Sequence, residues 1–132
     1  MFELTKGREF QLWEYRVSHG SLLIRSPARP ASAGRPGFET NVDIICTAVA
    51  YLAAPRVLGE ITICEGTQPE LEGIEEILGK PLHPRSRVWA LQNARCRSLV
   101  ASVFLNVEEN RAGLFESPFQ LPPLDEFHTP AE

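Results

Sequence analysis

The chain has 132 residues, of which 43% are hydrophobic and 23% charged, with a formal net charge of −4. That length and balance predict a single domain over residues 1–132 with its own apolar core, and argue against whole-chain disorder. The acidic balance disfavours a nucleic-acid partner, whose phosphates need a basic surface, and no apolar run approaches the roughly 18 residues of a membrane span, so no membrane partner is expected.

The first residues mix Phe2 and Leu4 with Glu3, Lys6, Arg8 and Glu9. They lack the basic stretch and unbroken apolar run of a secretory leader, and a cytoplasmic location is the expectation. Eleven of the thirteen basic residues are Arg and fifteen of the seventeen acids are Glu, which reads first as genomic composition and only weakly as bidentate anion recognition.

From Phe10 to Val17 the apolar Trp13, Tyr15 and Val17 alternate with Glu14, Arg16 and Ser18 at the strand period of two. His19-Gly20 predicts a two-residue hairpin loop, because Gly accepts positive φ freely. Pairing across it sets Val17 opposite Leu22, Tyr15 opposite Ile24 and Glu14 opposite Arg25. Residues 26–40 then carry Pro27, Pro30, Pro36, Gly34 and Gly37 among small residues, too little apolar surface to offset ordering, so a mobile loop is predicted. Arg25, Arg29 and Arg35 make its surroundings basic and are the candidate anion ligands. Pro27 to Pro30 formally matches a PxxP pattern, but such tetrapeptides are common in solvated connections.

Val42 to Leu52 is apolar or small on both faces, as expected of a central strand. A turn at Ala54-Pro55-Arg56 predicts Leu58 to Cys64 as its hairpin partner, with Val49 facing Ile61, Thr47 facing Ile63, and Cys46 facing Cys64. Three cysteines without CxxC spacing or a secretory leader read as small buried thiols rather than a redox or metal pair.

Thr67-Gln68-Pro69-Glu70 spells a capping box, Gly79 a stop, and Leu71, Ile74 and Leu78 one apolar stripe edged by Ile77. Together these predict a helix over 68–78 packed on the sheet. Glu72, Glu75 and Glu76 crowd its outer face and form an acidic strip. Beyond Pro81, Val88 to Gln92 and Arg97 to Val107 read as a third hairpin turning at Asn93-Ala94, its second strand apolar enough for the middle of the sheet. Arg85 and Arg87 fall at the base of that hairpin and Arg95 and Arg97 at its tip, too far apart for one anion pocket. Residues 108–132 scatter Leu114, Phe115, Phe119, Leu121, Leu124 and Phe127 among prolines. An irregular strap folding back over the sheet is expected to about Leu121, with a frayed end beyond.

The whole reads as α+β: a mostly antiparallel sheet of about six strands in three hairpins, one helix and a C-terminal strap, with a small half-closed barrel as the alternative architecture. Catalytic spelling is absent: no HExxH, GxSxG, P-loop or GxGxxG occurs, and His19, His83 and His128 have no metal-spaced companion. No catalytic residue, metal ligand or cofactor is assigned. Cys96 with His83 is conceivable as a dyad only if the fold brings them together, and the same holds for a site built from Glu14, Glu39, Glu60 and Glu65.

Two functions are weighed. The first is a non-enzymatic interaction or accessory module, antitoxin-like, that meets another protein through Glu72, Glu75 and Glu76 or through Phe115 and Phe119 of the strap. The second is a pocket protein, enzyme included, holding a small ligand under the 26–40 loop with Arg25, Arg29 or Arg35 on an anion. A homodimer through a strand edge or the strap is compatible with both.

Overall fold

The computed structural model describes residues 3–113, Glu116 and Phe119. Its sheet has seven strands: β1 (Phe10–Arg16), β2 (Ser21–Ser26), β3 (Asn41–Ala53), β4 (Val57–Gly59), β5 (Thr62–Glu65), β6 (Arg87–Gln92) and β7 (Arg97–Asn110), with one helix, α1 (Gln68–Leu78). The order across the sheet is β4-β1-β2-β3-β7-β6-β5, every observed pairing is antiparallel, and the sheet curls into a half-barrel. The α+β expectation and its half-barrel alternative therefore meet in one architecture. No helix among the described residues is long and apolar enough to cross a membrane.

β3 and β7 form the spine, paired from Asn41↔Asn110 to Ala53↔Leu99. Both are covered on two faces in their first halves, Asn41–Cys46 and Ser98–Ser102, and open to solvent on one face beyond, where Ala48, Ala50 and Phe104 are exposed. Inside the curl, Phe10, Leu22, Ile24, Val42, Ile44, Cys46, Leu58, Ile61, Ile63, Leu91 and Val100 make the main core. On the outside, Ile74 of α1 packs on Val88 and Ala101, flanked by Leu71, Leu78, Tyr51, Leu82 and Leu99. The predicted stripe thus buries as its period requires, while Ile77 at its edge stays 68% exposed. Both halves of the capping box are made, with the Glu70 amide donating to the Thr67 hydroxyl and the Thr67 amide donating to the Glu70 carboxylate.

Two expected registers are corrected. In the first hairpin the partners are Tyr15↔Leu22, Glu14↔Leu23, Leu12↔Ile24 and Gln11↔Arg25, with a bulge between Leu12 and Glu14. Val17–His19 forms a 3₁₀ turn ahead of Gly20, so the loop is longer than two residues and Val17 leaves the ladder for solvent at 79% exposure. Glu14 consequently meets Arg16, not Arg25.

The second expected hairpin does not form. β3 is flanked by β2 and β7, which leave it no edge for residues 58–64. Those residues split: β4 pairs with β1, and β5 pairs with β6. Cys46 therefore lies between Leu22 and Leu105, and Cys64 opposite Ala90. Gly59, at φ 68, supplies the left-handed bend that sends the chain from one edge of the sheet to the other within a few residues. A second bend occurs at Ala48, whose φ of 56 beside a register shift of β3 is unfavourable for a residue with a Cβ.

The mobile loop expected over residues 26–40 is corrected: Ser26 ends β2, and the rest forms a narrow ribbon in which Arg29 and Phe38 exchange two main-chain hydrogen bonds and Ser32 and Arg35 exchange two more. Arg8 seals its base. The guanidinium donates to the Ser26 hydroxyl at 3.0 Å, to the Ser26 carbonyl at 3.1 Å and to the Thr40 carbonyl at 2.6 Å, and lies 3.8 Å from the Phe38 ring centroid.

Candidate functional site: a wedge beside the edge strand β5

The site arises where β1 stops. Phe10 pairs with Gly59, and the same antiparallel register carried upstream would lay Arg8 beside Ile61, Gly7 beside Thr62 and Thr5 beside Cys64. The chain does not continue so. Gly7 takes φ 72, and the Lys6 and Arg8 amides donate to the Glu3 and Thr5 carbonyls in a 3₁₀ turn over Glu3–Thr5. With its side chain bound to Ser26 and Thr40, Arg8 anchors this segment at the end of β2 and β3. β5 is left hydrogen-bonded to β6 alone among the described residues.

Between the diverging walls lies a cavity of about 970 Å³. Thr5, Lys6 and Gly7 line one side and β5 and the β4–β5 link the other, and Trp89 of β6, opposite Glu65, also lines it. Ile61 and Ile63 are only 8% exposed and belong to the inner core, so the floor of the cavity is apolar and continuous with it. The rim is charged. Lys6 pairs with Glu3 at 2.8 Å and Arg87 with Glu65 at 3.0 Å. Glu60 is exposed and has no ionic partner among the described residues. At the far end the Asn93 side chain donates to the Leu58 carbonyl at 2.7 Å, tying the β6–β7 turn to β4.

The main chain of β5 is oriented by its ladder. Gly66 donates to the Val88 carbonyl at 2.7 Å in the same register as Cys64↔Ala90 and Thr62↔Gln92. Alternation in an antiparallel ladder then turns the amides and carbonyls of Ile63 and Glu65 away from β6, toward the wedge. Behind β5, Arg97 grips the Glu70 carboxylate with two hydrogen bonds of 2.7 and 3.0 Å and lies 3.7 Å from the Cys64 sulfur. Arg97, with the Thr67 amide next, holds the Glu70 carboxyl at about 2 against its ordinary 4.5.

Of the glutamates named from sequence, Glu60 and Glu65 line the wedge, whereas the candidate anion ligands and partner-binding residues lie elsewhere. Arg25 is wholly buried on the outer face of β2. It grips both oxygens of the equally buried Asp43 at 2.7 and 2.9 Å, and donates to the Glu116 carbonyl at 2.8 Å. Asn110 also donates to Asp43 at 2.7 Å, and Asn41 to the Ala112 carbonyl at 2.9 Å, so Ala112 and Glu116 both lie on this face. Arg29 and Arg35 both face Glu9, at 3.6 Å for the first and by a direct hydrogen bond for the second.

The three arginines are therefore not gathered, and each stands against a carboxylate. On α1, Glu72 and Glu76 are exposed, whereas Glu75 accepts from the Leu82 amide at 2.7 Å. Phe119 is half-buried, and Phe115 lies outside the described residues. Sequence reading missed the wedge because no motif spells it. Its one local signal was the exposed-looking Glu60 set between apolar residues on a broken strand.

The chain matches no protein-family model, and no curated protein or solved structure is significantly similar to it.

Proposed function

We propose that the chain is a non-enzymatic binding module whose ligand occupies the wedge between β5 and residues 3–7. The cavity carries this reading. Its volume of about 970 Å³ falls at the upper end of the roughly 300–1,000 Å³ common for ligand sites, and an apolar floor with a few polar groups at the rim is their usual composition. Open strand edges and barrel mouths are also where small β folds bind. This moves the ligand from beneath the 26–40 ribbon, where Arg25 is bound by Asp43 and Arg29 and Arg35 share Glu9, to the cleft between residues 3–7 and β5. The exposed part of the acidic strip of α1 is reduced to Glu72 and Glu76.

Nile red, a neutral apolar dye, serves as the probe. Saturable binding accompanied by quenching of tryptophan emission is expected, because Trp89 lines the cavity. Ala94→Trp, a change in the exposed turn at the rim, should weaken that binding at least tenfold by obstructing the entrance. Non-saturable binding, or equal affinity in the two proteins, sinks the proposal.

A further inference from the structure

We infer that the natural occupant of the wedge is an extended peptide with an apolar residue flanked by basic ones, added to β5 as an antiparallel strand. The inference rests on the cavity reading and specifies its ligand. Three observations converge. The first is geometric: the vacated register places a gap where β1 would have run, and that gap is bounded on one side by strand edge rather than by side chains.

The second is the stereochemistry of β5. The main chains of Ile63 and Glu65 present donor and acceptor groups to the wedge two residues apart, about 6.8 Å on strand geometry. A residue opposite Ile63 would exchange both hydrogen bonds with it and project its side chain on the same face. That face is the apolar floor of Ile61, Ile63 and Trp89. One backbone position therefore satisfies the edge and fills the cavity together, which is the logic of strand addition.

The third is charge. Lys6 and Arg87 are matched by Glu3 and Glu65, and Glu60, beside Ile61, has no ionic partner among the described residues. A Lys or Arg two positions from the buried apolar residue reaches that end of the wedge, whereas an acidic flank meets like charge. A free strand edge is a hazard that proteins ordinarily blunt. Here a short edge lies within a cleft that admits one chain.

The probe is the capped pentapeptide acetyl-Lys-Val-Leu-Val-Lys-amide, titrated against Trp13→Phe protein so that Trp89 alone reports, since the chain has two tryptophans. Saturable binding is expected. N-methylation of the Leu amide, which keeps every side chain and removes one donor, should weaken it at least tenfold. Glu65→Pro, which deletes one edge amide without touching the β6 ladder, should weaken it similarly, and Glu60→Lys at least threefold. An N-methylated peptide or an acidic-flanked analogue that binds as well as the parent overturns the inference. Nile red binding without peptide binding overturns it while leaving the cavity reading intact, and failure of both removes the two together. A dimer in light scattering that Glu65→Pro converts to monomer would assign the edge to a second copy and also overturns it.

Discussion

Arg25 and Asp43 give up nearly all contact with water, so the energetics of this pair depend on how completely it is satisfied. All three Arg25 nitrogens and both Asp43 oxygens are engaged: two nitrogens on Asp43, the third on the Glu116 carbonyl, and the Asn110 amide on Asp43. Trp13 lies over the guanidinium at 5.4 Å. A buried pair of this kind contributes little relative to an apolar substitute, yet breaking it strands a charge, at a cost of about 3–5 kcal/mol. Asp43→Ala is therefore expected to lower the unfolding free energy by roughly that amount in urea titrations. Joint replacement by Arg25→Met and Asp43→Leu should cost clearly less. A single substitution costing under about 1 kcal/mol would show that water reaches the site. Cys46 illustrates the same physics for a thiol. Burial is the main cause that pushes its pKa up to about 12, and so keeps it protonated and inert between Leu22 and Leu105.

Helix α1 does two jobs with one carboxylate. Glu70 completes the capping box and also receives Arg97 from β7, so the start of the helix is fixed to the sheet by the residue that starts the helix. Because the folded-state carboxyl titrates at about 2 instead of 4.5, its ionised form is favoured by folding. That contribution is complete above about pH 4.5 and drains away as the pH falls toward 2. Glu70→Gln should accordingly melt lower than the parent at about pH 6, and the gap between the two melting temperatures should close as the pH approaches about 2. A gap that stays constant across that window would mean that the ion pair adds nothing. The helix itself was legible in the sequence, since cap, stripe and stop lie within thirteen residues, Thr67 to Gly79. The partner of Glu70 was not, because Arg97 is brought there by the β6–β7 hairpin.

At the scale of the molecule, stability is distributed unevenly around the curl. β3 and β7 are paired at eleven positions, whereas residues 3–8 pair with no strand among the described residues and Arg8 ties them to Ser26 and Thr40. Amide exchange should follow that gradient. Amides in the β3–β7 ladder are expected to exchange only through global unfolding, and those of residues 3–7 and of the Ile63 and Glu65 edge to exchange orders of magnitude faster. Uniform protection around the barrel would contradict a wedge left open at β5.

What the residues determine by themselves is whatever is enforced within a turn or two of chain: the capped helix, the two-faced apolarity of β3 and β7, and the tight β6–β7 turn at Asn93. Local sterics and hydrogen bonding suffice for these. Tertiary structure decided which edges meet. A run such as Val57 to Glu65 has one spelling but two partners, and its division at Gly59 depends on β2 and β7 having already filled both sides of β3. The buried Arg25–Asp43 pair and the wedge at β5 follow from that competition for edges, a global property that no window of sequence contains.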